Sequence, residues 1–396
     1  MRARTSCIAL LLVTLTGVAR ADEPAVEAGD WFRRGDKGLE FGDQDGNWFA
    51  NVDLRAQLRY TGTDIDQRSL AGGSEQHEDE AELNRLRLKV GGNVLRPWIT
   101  YYFEQELTDP QRLLDLRLTF EIEDWLQVRV GQWKIPFNRE RVDSSGSQQF
   151  VDRSIANAYF TLDRQRGAAV SGRVLAGSPA DSNYSLGLYA PLGRGGTGSY
   201  QDPLLLARWQ WNPLGRVLDF SQSDVTYREQ PAASLAVAAA RYQGPYTAFS
   251  SSGGGQLDGF APGTSGQYEV RQWLLEIAWQ HRGASWQQEW HHKRVRDTVA
   301  GTTTRLSGGY AQAGLFPHAL LPQFPQPLEF ALRYAWVDPD DALADDRKIE
   351  ATLVANWFFR GHRNKLTMDY GWLRDGMAQP GESRQRRLRL QWDVSL

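Results

Sequence analysis

The chain has 396 residues, 41% of them hydrophobic and 23% charged, and its formal net charge at pH 7 is −3. This balance gives no general attraction for nucleic acid, so any preference for anions must be local. The single cysteine is Cys7. Disulfides, a thiol nucleophile and a cysteine metal site are therefore excluded from the rest of the chain.

The first element in chain order has the features of an export signal. Arg2 and Arg4 form a short basic region, residues 7–18 are apolar, and Ala19-Arg20-Ala21 has the small-x-small form of a cleavage site. Residues 22–47 show no clear alternation. The predicted domains are a signal peptide over 1–21, a periplasmic lead-in over 22–47 and a transmembrane barrel over 48–396.

Strict alternation begins at Ala50. Every second residue from Ala50 to Tyr60 is apolar and those between are polar, and the last residues, 384–396, repeat the pattern. Strand side chains alternate between two faces, so one face suits hydrocarbon and the other suits water. A soluble β-sandwich also alternates, but here the polar positions are rich in Arg and Trp recurs near strand ends. The pattern favours an all-β, transmembrane antiparallel β-barrel with a wet interior.

The same rhythm predicts about sixteen strands, an even number as in bacterial single-chain barrels. The predicted strands are 50–60, 83–90, 98–107, 113–121, 125–134, 167–175, 184–190, 204–212, 234–242, 270–281, 285–295, 305–316, 328–337, 349–359, 365–374 and 384–396. Long links, including 61–81 and 135–166, alternate with short ones, which places the long links outside the cell. The link 213–233 is long on the periplasmic side, so the strand count is open there.

Closure of the barrel would place the last, first and second predicted strands side by side. Their inward positions form a basic lumen wall of Arg55, Arg59, Arg85, Arg87, Lys89, Arg387 and Arg389. Like charges that face one another cost energy. Such a wall either concentrates mobile anions or is neutralised by nearby carboxylates such as Glu104 and Glu106. Both interpretations stay open.

The basic residues comprise 39 Arg and only six Lys. Arg carries a planar fork of donors that suits oxyanions and keeps its charge. A genome rich in G and C would also favour Arg codons, so this bias alone does not decide function.

One segment carries a specific motif. Gly131-Gln132-Trp133-Lys134-Ile135-Pro136-Phe137 is followed by Arg139-Glu140-Arg141, Ser144-Ser145, Arg153-Ser154 and Asn157, and then by Arg164-Gln165-Arg166-Gly167. This arrangement resembles the third loop of the phosphate-selective porin O/P family, and weaker similarity extends over nearly the whole chain after residue 21.

The resemblance implies a sixteen-stranded, homotrimeric channel in the bacterial outer membrane, with the third loop folded into the lumen. Basic residues of that loop would draw anions through the constriction. The site implied here consists of Lys134, Arg139, Arg141, Ser144, Ser145, Arg153 and Arg164. The hydroxyls and Arg forks would replace part of an anion's hydration shell.

The leading hypothesis is a passive, anion-selective porin for phosphate or related oxyanions, without catalytic residues, metal or cofactor. The alternatives are a broad-specificity or organic-anion porin and an outer-membrane hydrolase. A hydrolase needs Ser, His and an orienting group on one wall; His281 and His291 lie on neighbouring predicted strands, but no Ser is aligned with them. Expected partners are small anions, the lipid bilayer and lipopolysaccharide, which the acidic run 75–82 could reach through divalent cations, unless it is simply a solvated loop.

Overall fold

The computed structural model describes residues 30–35, 38–67, 74–108, 110–376 and 383–396. The strands are β1 (Trp31–Gly35), β2 (Gly38–Gly42), β3 (Phe49–Gln67), β4 (Ser74–Val94), β5 (Arg96–Glu106), β6 (Arg112–Glu123), β7 (Leu126–Lys134), β8 (Arg164–Val174), β9 (Ser182–Ala190), β10 (Asp202–Trp211), β11 (Ala232–Gly244), β12 (Ala248–Ser250), β13 (Gly253–Gly255), β14 (Tyr268–His281), β15 (Ala284–Asp297), β16 (Thr303–Leu315), β17 (Leu328–Asp338), β18 (Lys348–Phe358), β19 (Asn364–Asp375) and β20 (Ser383–Ser395). The helices are α1 (Arg139–Val142), α2 (Ile155–Phe160) and the 3-10 turn η1 (Pro317–Ala319).

Sixteen of these strands, β3–β11 and β14–β20, form one closed antiparallel barrel. Each pairs with its neighbour in the chain, and β20 pairs with β3 from Ser383–Gln67 to Ser395–Arg55, which closes the ring. The predicted barrel class and the number of strands are confirmed. The long link between β10 and β11 contains no further strand, so the alternating pattern was counted correctly there.

The two faces of the barrel wall differ in the way the alternation predicts. On β3, Leu58 is 49% exposed whereas its neighbour Gln57 is fully buried. On β14, Leu275 and Ile277 are exposed and Glu276 between them is buried. The apolar side chains therefore face outward and the polar ones face inward, where they bond to each other and to the loops.

Within the described residues, no helix has the length and apolar character needed to cross a membrane.

The predicted extracellular loop over 61–81 is wrong. β3 continues to Gln67 and β4 resumes at Ser74, with Thr61 paired to Glu80 and Asp64 to His77. The backbone ladder needs no apolar side chains, so the two strands extend past the apolar band as a polar ribbon.

The predicted lead-in contains a hairpin that the sequence pattern did not reveal. β1 pairs with β2, and β2 pairs with the first residues of β3, from Leu39–Val52 to Gly42–Phe49. β2 thus prolongs the sheet edge beyond the end of β20. The predicted signal peptide and residues 22–29 lie outside the described residues.

Candidate functional site

The segment 135–163 connects β7 to β8 and carries α1 and α2. The Ile135 N–H donates to the Asp163 carbonyl at 3.0 Å, so the two ends of the segment are held together. Pro136 has no N–H and cannot continue the β7 ladder. Phe137 and Phe160 are buried in one apolar cluster with Trp133 of β7. The motif residues therefore end the strand and fix the segment by apolar packing.

Wall carboxylates bind the backbone of this segment. The N–H groups of Arg139, Glu140, Val151 and Ile155 donate to Glu276, Glu289, Asp369 and Glu350, at 3.1, 2.7, 3.1 and 2.8 Å respectively. Hydrogen bonds to a carboxylate are stronger than neutral ones. These four wall carboxylates, on β14, β15, β19 and β18, are thus occupied in holding the segment.

Gln149 ties the same segment to three adjacent strands. Its Nε2 donates to Ser285 on β15 at 2.8 Å and to Glu329 on β17 at 2.7 Å. Its Oε1 accepts from Gln312 on β16 at 3.0 Å. One buried amide thereby fixes the position of the segment relative to the wall.

Three of the predicted loop arginines are buried. Arg141 pairs with Asp163 at 2.6 Å, and Arg164 pairs with Asp115 of β6 at 2.6 Å. The Arg139 guanidinium lies 4.9 Å from the ring centre of Phe220, which belongs to the link between β10 and β11. All three side chains hold neighbouring elements together.

The other predicted loop residues sit at the periphery of this packing. Arg153 donates to the carbonyls of Glu140 and Asp143 at 2.8 Å, and Lys134 donates to the Asp143 carbonyl at 3.2 Å. Ser144 is exposed. Ser145 is buried, and its Oγ accepts from Arg55 at 3.2 Å and from Arg87 at 3.4 Å. The structure brings Ser145 to the basic wall, and it places four of the loop cations close together. Lys134 and Arg153 donate to the same Asp143 carbonyl, and Arg141 and Arg164 lie 2.6 and 3.7 Å from Asp163 Oδ1.

The predicted basic wall exists, since β20, β3 and β4 are adjacent. Part of it is paired with carboxylates: Arg55 with Asp393 at 2.5 Å, Arg87 with Glu104 at 2.9 Å and with Glu106 at 2.7 Å, Lys89 with Asp53 at 3.2 Å, and Arg389 with Asp369 at 2.7 Å. In the ion pairs of Arg55 and of Arg87, both partners are buried. Paired buried charges of this kind stabilise the wall and offer little to a passing ion.

The remaining wall arginines, together with the already paired Arg389, surround a single carboxylate of the segment. Asp152 Oδ2 lies 3.0 Å from Arg59 Nη1 and 3.8 Å from Arg389 Nη1, and Asp152 Oδ1 lies 3.8 Å from Arg85 Nη2. No hydrogen bond or ion pair in the described part of the chain reaches Arg387, whose Nε is buried. We name Asp152 with Arg59, Arg85, Arg387 and Arg389 the Asp152 cluster.

The Asp152 cluster is open to solvent, since the Asp152 side chain is 37% exposed. Burial by itself would raise the pKa of Asp152, but Arg59, Arg85 and Arg389 hold that pKa below its ordinary value. Asp152 is therefore a carboxylate at neutral pH. Asp152 and Asp369 face these four arginines. Glu350 also acts on Arg387 but is paired with Arg333 at 2.5 Å, so the cluster carries excess positive charge. Asp152 directly precedes Arg153-Ser154 of the motif, but nothing in the sequence pattern indicates that it meets the wall.

In the ranges that the structure describes, no group of three or more His, Cys, Asp or Glu side chains is placed to hold a metal ion.

A closed sixteen-stranded barrel with an apolar outer face and a charged interior is the architecture of an outer-membrane porin. Residues 50–392 match the family profile of phosphate-selective porin O and P. The chain belongs to this family, and its location is the bacterial outer membrane.

Solved structures share this fold at low sequence identity. They include an anion-selective porin from Comamonas acidovorans (TM-score 0.56, 12% identity, 88% of this chain and 100% of that one). OmpT, an outer membrane protein of Vibrio cholerae, has a TM-score of 0.54 at 11% identity, covering 87% of this chain and 97% of that one. The channel DcaP of Acinetobacter baumannii has a TM-score of 0.53 at 13% identity, covering 90% and 99%. No curated protein sequence matches the chain.

Proposed function

We propose that the protein is a passive, anion-selective channel whose segment 135–163 lies across the lumen and narrows it. The observation that carries the proposal is the Asp152 cluster, in which arginines outnumber carboxylates at a position open to solvent. The hydrogen bonds from the segment to β14–β19 on one side and to β3 and β4 on the other support its place across the lumen. The fold shared with an anion-selective porin from Comamonas acidovorans agrees with this function.

Selectivity would arise because the negative charges of the wall are compensated within the protein and some of its positive charges are not. The carboxylates on β14, β15, β18 and β19 accept from the segment's backbone. Three of them are also paired with arginines, Glu276 with Arg208, Glu350 with Arg333 and Asp369 with Arg389, so their charge is compensated locally. Arg387 makes no ion pair with a described residue and Arg85 lies 3.8 Å from Asp152, so the charge of both is only partly compensated. In a narrow passage with low-dielectric walls this excess charge raises the local concentration of anions and repels cations.

Passage would be fast because the cluster binds an anion only weakly. Asp152 occupies part of the donor set, so an arriving anion competes with it for Arg59 and Arg85. Conduction requires binding that is favourable enough for entry and weak enough for exit. Asp152 would provide this balance.

The solute class would be oxyanions, since Arg forks match phosphate and carboxylate equally well. Phosphate is the first candidate because of the family. Organic carboxylates are the second, because a side-chain carboxylate already occupies the cluster.

The test is the block of chloride current by added oxyanions in planar bilayers. In the parent, phosphate or acetate should reduce chloride current as its concentration rises, and Arg85→Gln and Arg387→Gln should weaken the block. The control is Arg386→Gln, an exposed arginine opposite Asp64. Block by acetate alone would favour the organic-anion alternative. A parent that neither oxyanion blocks, or block unchanged in both variants, would overturn the assignment of the site.

The homotrimer that the family resemblance implies is part of the proposal. On gels the unboiled protein should run as a three-chain species that boiling converts to monomer, and chemical cross-linking before boiling should preserve the three-chain species. A monomer in the unboiled sample would contradict it.

A further inference from the structure

Four arginines on the outer face of the barrel stand directly opposite one another across four adjacent strands. Arg241 of β11 pairs in register with Arg271 of β14, Arg271 with Arg294 of β15, and Arg294 with Arg305 of β16. All four side chains are exposed. We name these four residues the outer arginine row.

Direct opposition of like charges on a sheet is destabilising. Glu269 offers partial compensation: it lies 2.6 Å from Arg271 and 3.8 Å from the neighbouring Arg296. Asp202 lies in the same surface region, beside Arg241. Nothing in the described ranges forms a hydrogen bond or an ion pair with the side chains of Arg241, Arg294 or Arg305. The row thus carries positive charge that the protein itself does not neutralise.

Other outward arginines of this barrel are treated differently. On β20, Arg384 stands between Arg374 of β19 and Asp66 of β3, and Arg386 stands opposite Asp64 of β3. There the cross-strand partner supplies the opposite charge. A row of arginines without cross-strand carboxylates is therefore not general on the outer face. An anion from outside the chain would neutralise its charge.

An apolar groove adjoins the row. A cavity of about 920 Å³ on the outer face is bordered by Arg241, Arg271 and Arg294 and is otherwise mostly apolar, with Val170, Leu186, Leu188, Leu205 and Trp273 among its walls. The small pair Ala207 and Ala239, directly opposite in register, leaves room for it. The surface therefore offers cationic hydrogen-bond donors for an anionic group and an apolar groove for a hydrocarbon group.

The position of the row fits a lipid headgroup. It lies towards the end of the barrel that carries the loop 245–267, whereas β14 and β15 are joined at the other end by a two-residue turn. Longer loops mark the extracellular end of such barrels. Near the membrane surface an outward arginine costs little, whereas at mid-depth it costs about 2–4 kcal/mol.

We propose that the outer arginine row and its groove bind a phosphorylated, acylated lipid of the outer leaflet, with lipid phosphates on Arg241, Arg271 and Arg294 and an acyl chain in the groove. Basic clusters at membrane surfaces recognise phosphorylated headgroups in this way. Diphosphorylated lipid A, the membrane anchor of lipopolysaccharide, supplies both parts. This site is on the outer face and is independent of the pore.

The test uses the full-length protein folded in detergent, with diphosphoryl lipid A as the probe. The folded fraction is followed by gel mobility without boiling as temperature rises, at several lipid concentrations. A lipid that binds only the folded barrel raises the unfolding temperature. The double variant Arg241→Gln/Arg294→Gln should bind roughly 30-fold more weakly, at about 1 kcal/mol for each arginine. The control Arg384→Gln/Arg386→Gln should bind as the parent does.

The double variant should fold, because the substitutions remove repulsion between arginines on adjacent strands. In lipid-free detergent it should unfold at the same temperature as the parent or higher. Dephosphorylated lipid A should not stabilise the parent, and any stabilisation by inorganic phosphate bound in the pore should be equal in the parent and the double variant. An equal lipid response in parent and double variant, or a stabilisation by inorganic phosphate that the double variant loses, would overturn the proposal.

A second copy of the chain is the alternative occupant of this face. If the double variant lost cross-linked oligomers in lipid-free detergent, the row would be an interface between copies and the lipid proposal would be wrong. Reversal potentials of the double variant should equal those of the parent, so this test is separate from that of the pore.

Discussion

Asp152, in the segment 135–163, accepts a hydrogen bond from Arg59 of β3, with 3.0 Å between Oδ2 and Nη1. The two residues are 93 positions apart in the chain. The contact places a carboxylate where an anion in the proposed pathway would meet the wall, with Arg85 and Arg389 each 3.8 Å away. Asp152 thus acts as a tethered counter-ion, and the proposed function makes its charge a determinant of anion passage.

Asp152→Asn should increase anion binding in the pore. Removal of the carboxylate leaves Arg59 and Arg85 without a competing anion, and partly exposed ion pairs contribute about 0.2–1 kcal/mol. The block of chloride current by phosphate should therefore occur at concentrations about 1.4- to fivefold lower. Asp341→Asn, in the exposed link between β17 and β18, is the matched control. Weaker block in Asp152→Asn would show that Asp152 itself contributes to the anion site.

Arg387→Gln should reduce anion selectivity without harm to folding. Arg387 has no hydrogen bond or ion pair to a described residue, so its loss leaves no carboxylate uncompensated. The reversal potential in a potassium chloride gradient should move towards zero, while the unfolding temperature stays at the parent's value. An unchanged reversal potential would remove Arg387 from the pathway.

Arg87→Gln, in contrast to Arg387→Gln, should destabilise the barrel. Arg87 is buried between Glu104 and Glu106, and removal of one partner of a buried ion pair costs about 3–5 kcal/mol. The expected result is a lower unfolding temperature on unboiled gels. Combining Arg87→Gln with Glu104→Gln and Glu106→Gln should restore much of the loss, because the two glutamates no longer lack their partner and Arg164, which lies 3.6 Å from Glu104, keeps Asp115 at 2.6 Å. If Arg87→Gln alone unfolds like the parent, this network does not stabilise the wall.

Anion conductance should rise as pH falls from 8 to 6. Burial raises the pKa of Asp143, in the segment outside the membrane-spanning strands, to about 7. Above that pH its carboxylate adds negative charge to the proposed constriction, and below it the charge is lost. Asp143→Asn should conduct at pH 8 as the parent does at pH 6 and should show no such pH step. The comparison is single-channel conductance of both proteins across this range, and a step that persists in Asp143→Asn would assign it to another group.

The sequence was sufficient for the barrel because alternation is a local property. Each predicted strand could be read from a run such as Ala50 to Tyr60 without knowledge of its partners. The same locality explains the errors. The ribbon formed by the ends of β3 and β4 is polar on both faces, and the hairpin of β1 and β2 is too short to show a period.

The site was less predictable because charge pairing depends on register and loop position. Arg87 and Arg387 look alike in sequence, both basic and both on inward positions. Only the structure shows that Arg87 makes ion pairs with two glutamates whereas Arg387 makes none with a described residue. The role of Arg139, Arg141 and Arg153 at a constriction stays a prediction. These three side chains make packing contacts, whereas the Asp152 cluster is open to solvent.

The most direct test of the central proposal is the reversal potential of the parent protein in a planar bilayer that separates two concentrations of potassium chloride. The excess of arginine at the Asp152 cluster predicts that chloride carries most of the current, so the potential should have the sign set by the chloride gradient. A potential with the sign set by potassium, or one near zero, would contradict an anion-selective channel.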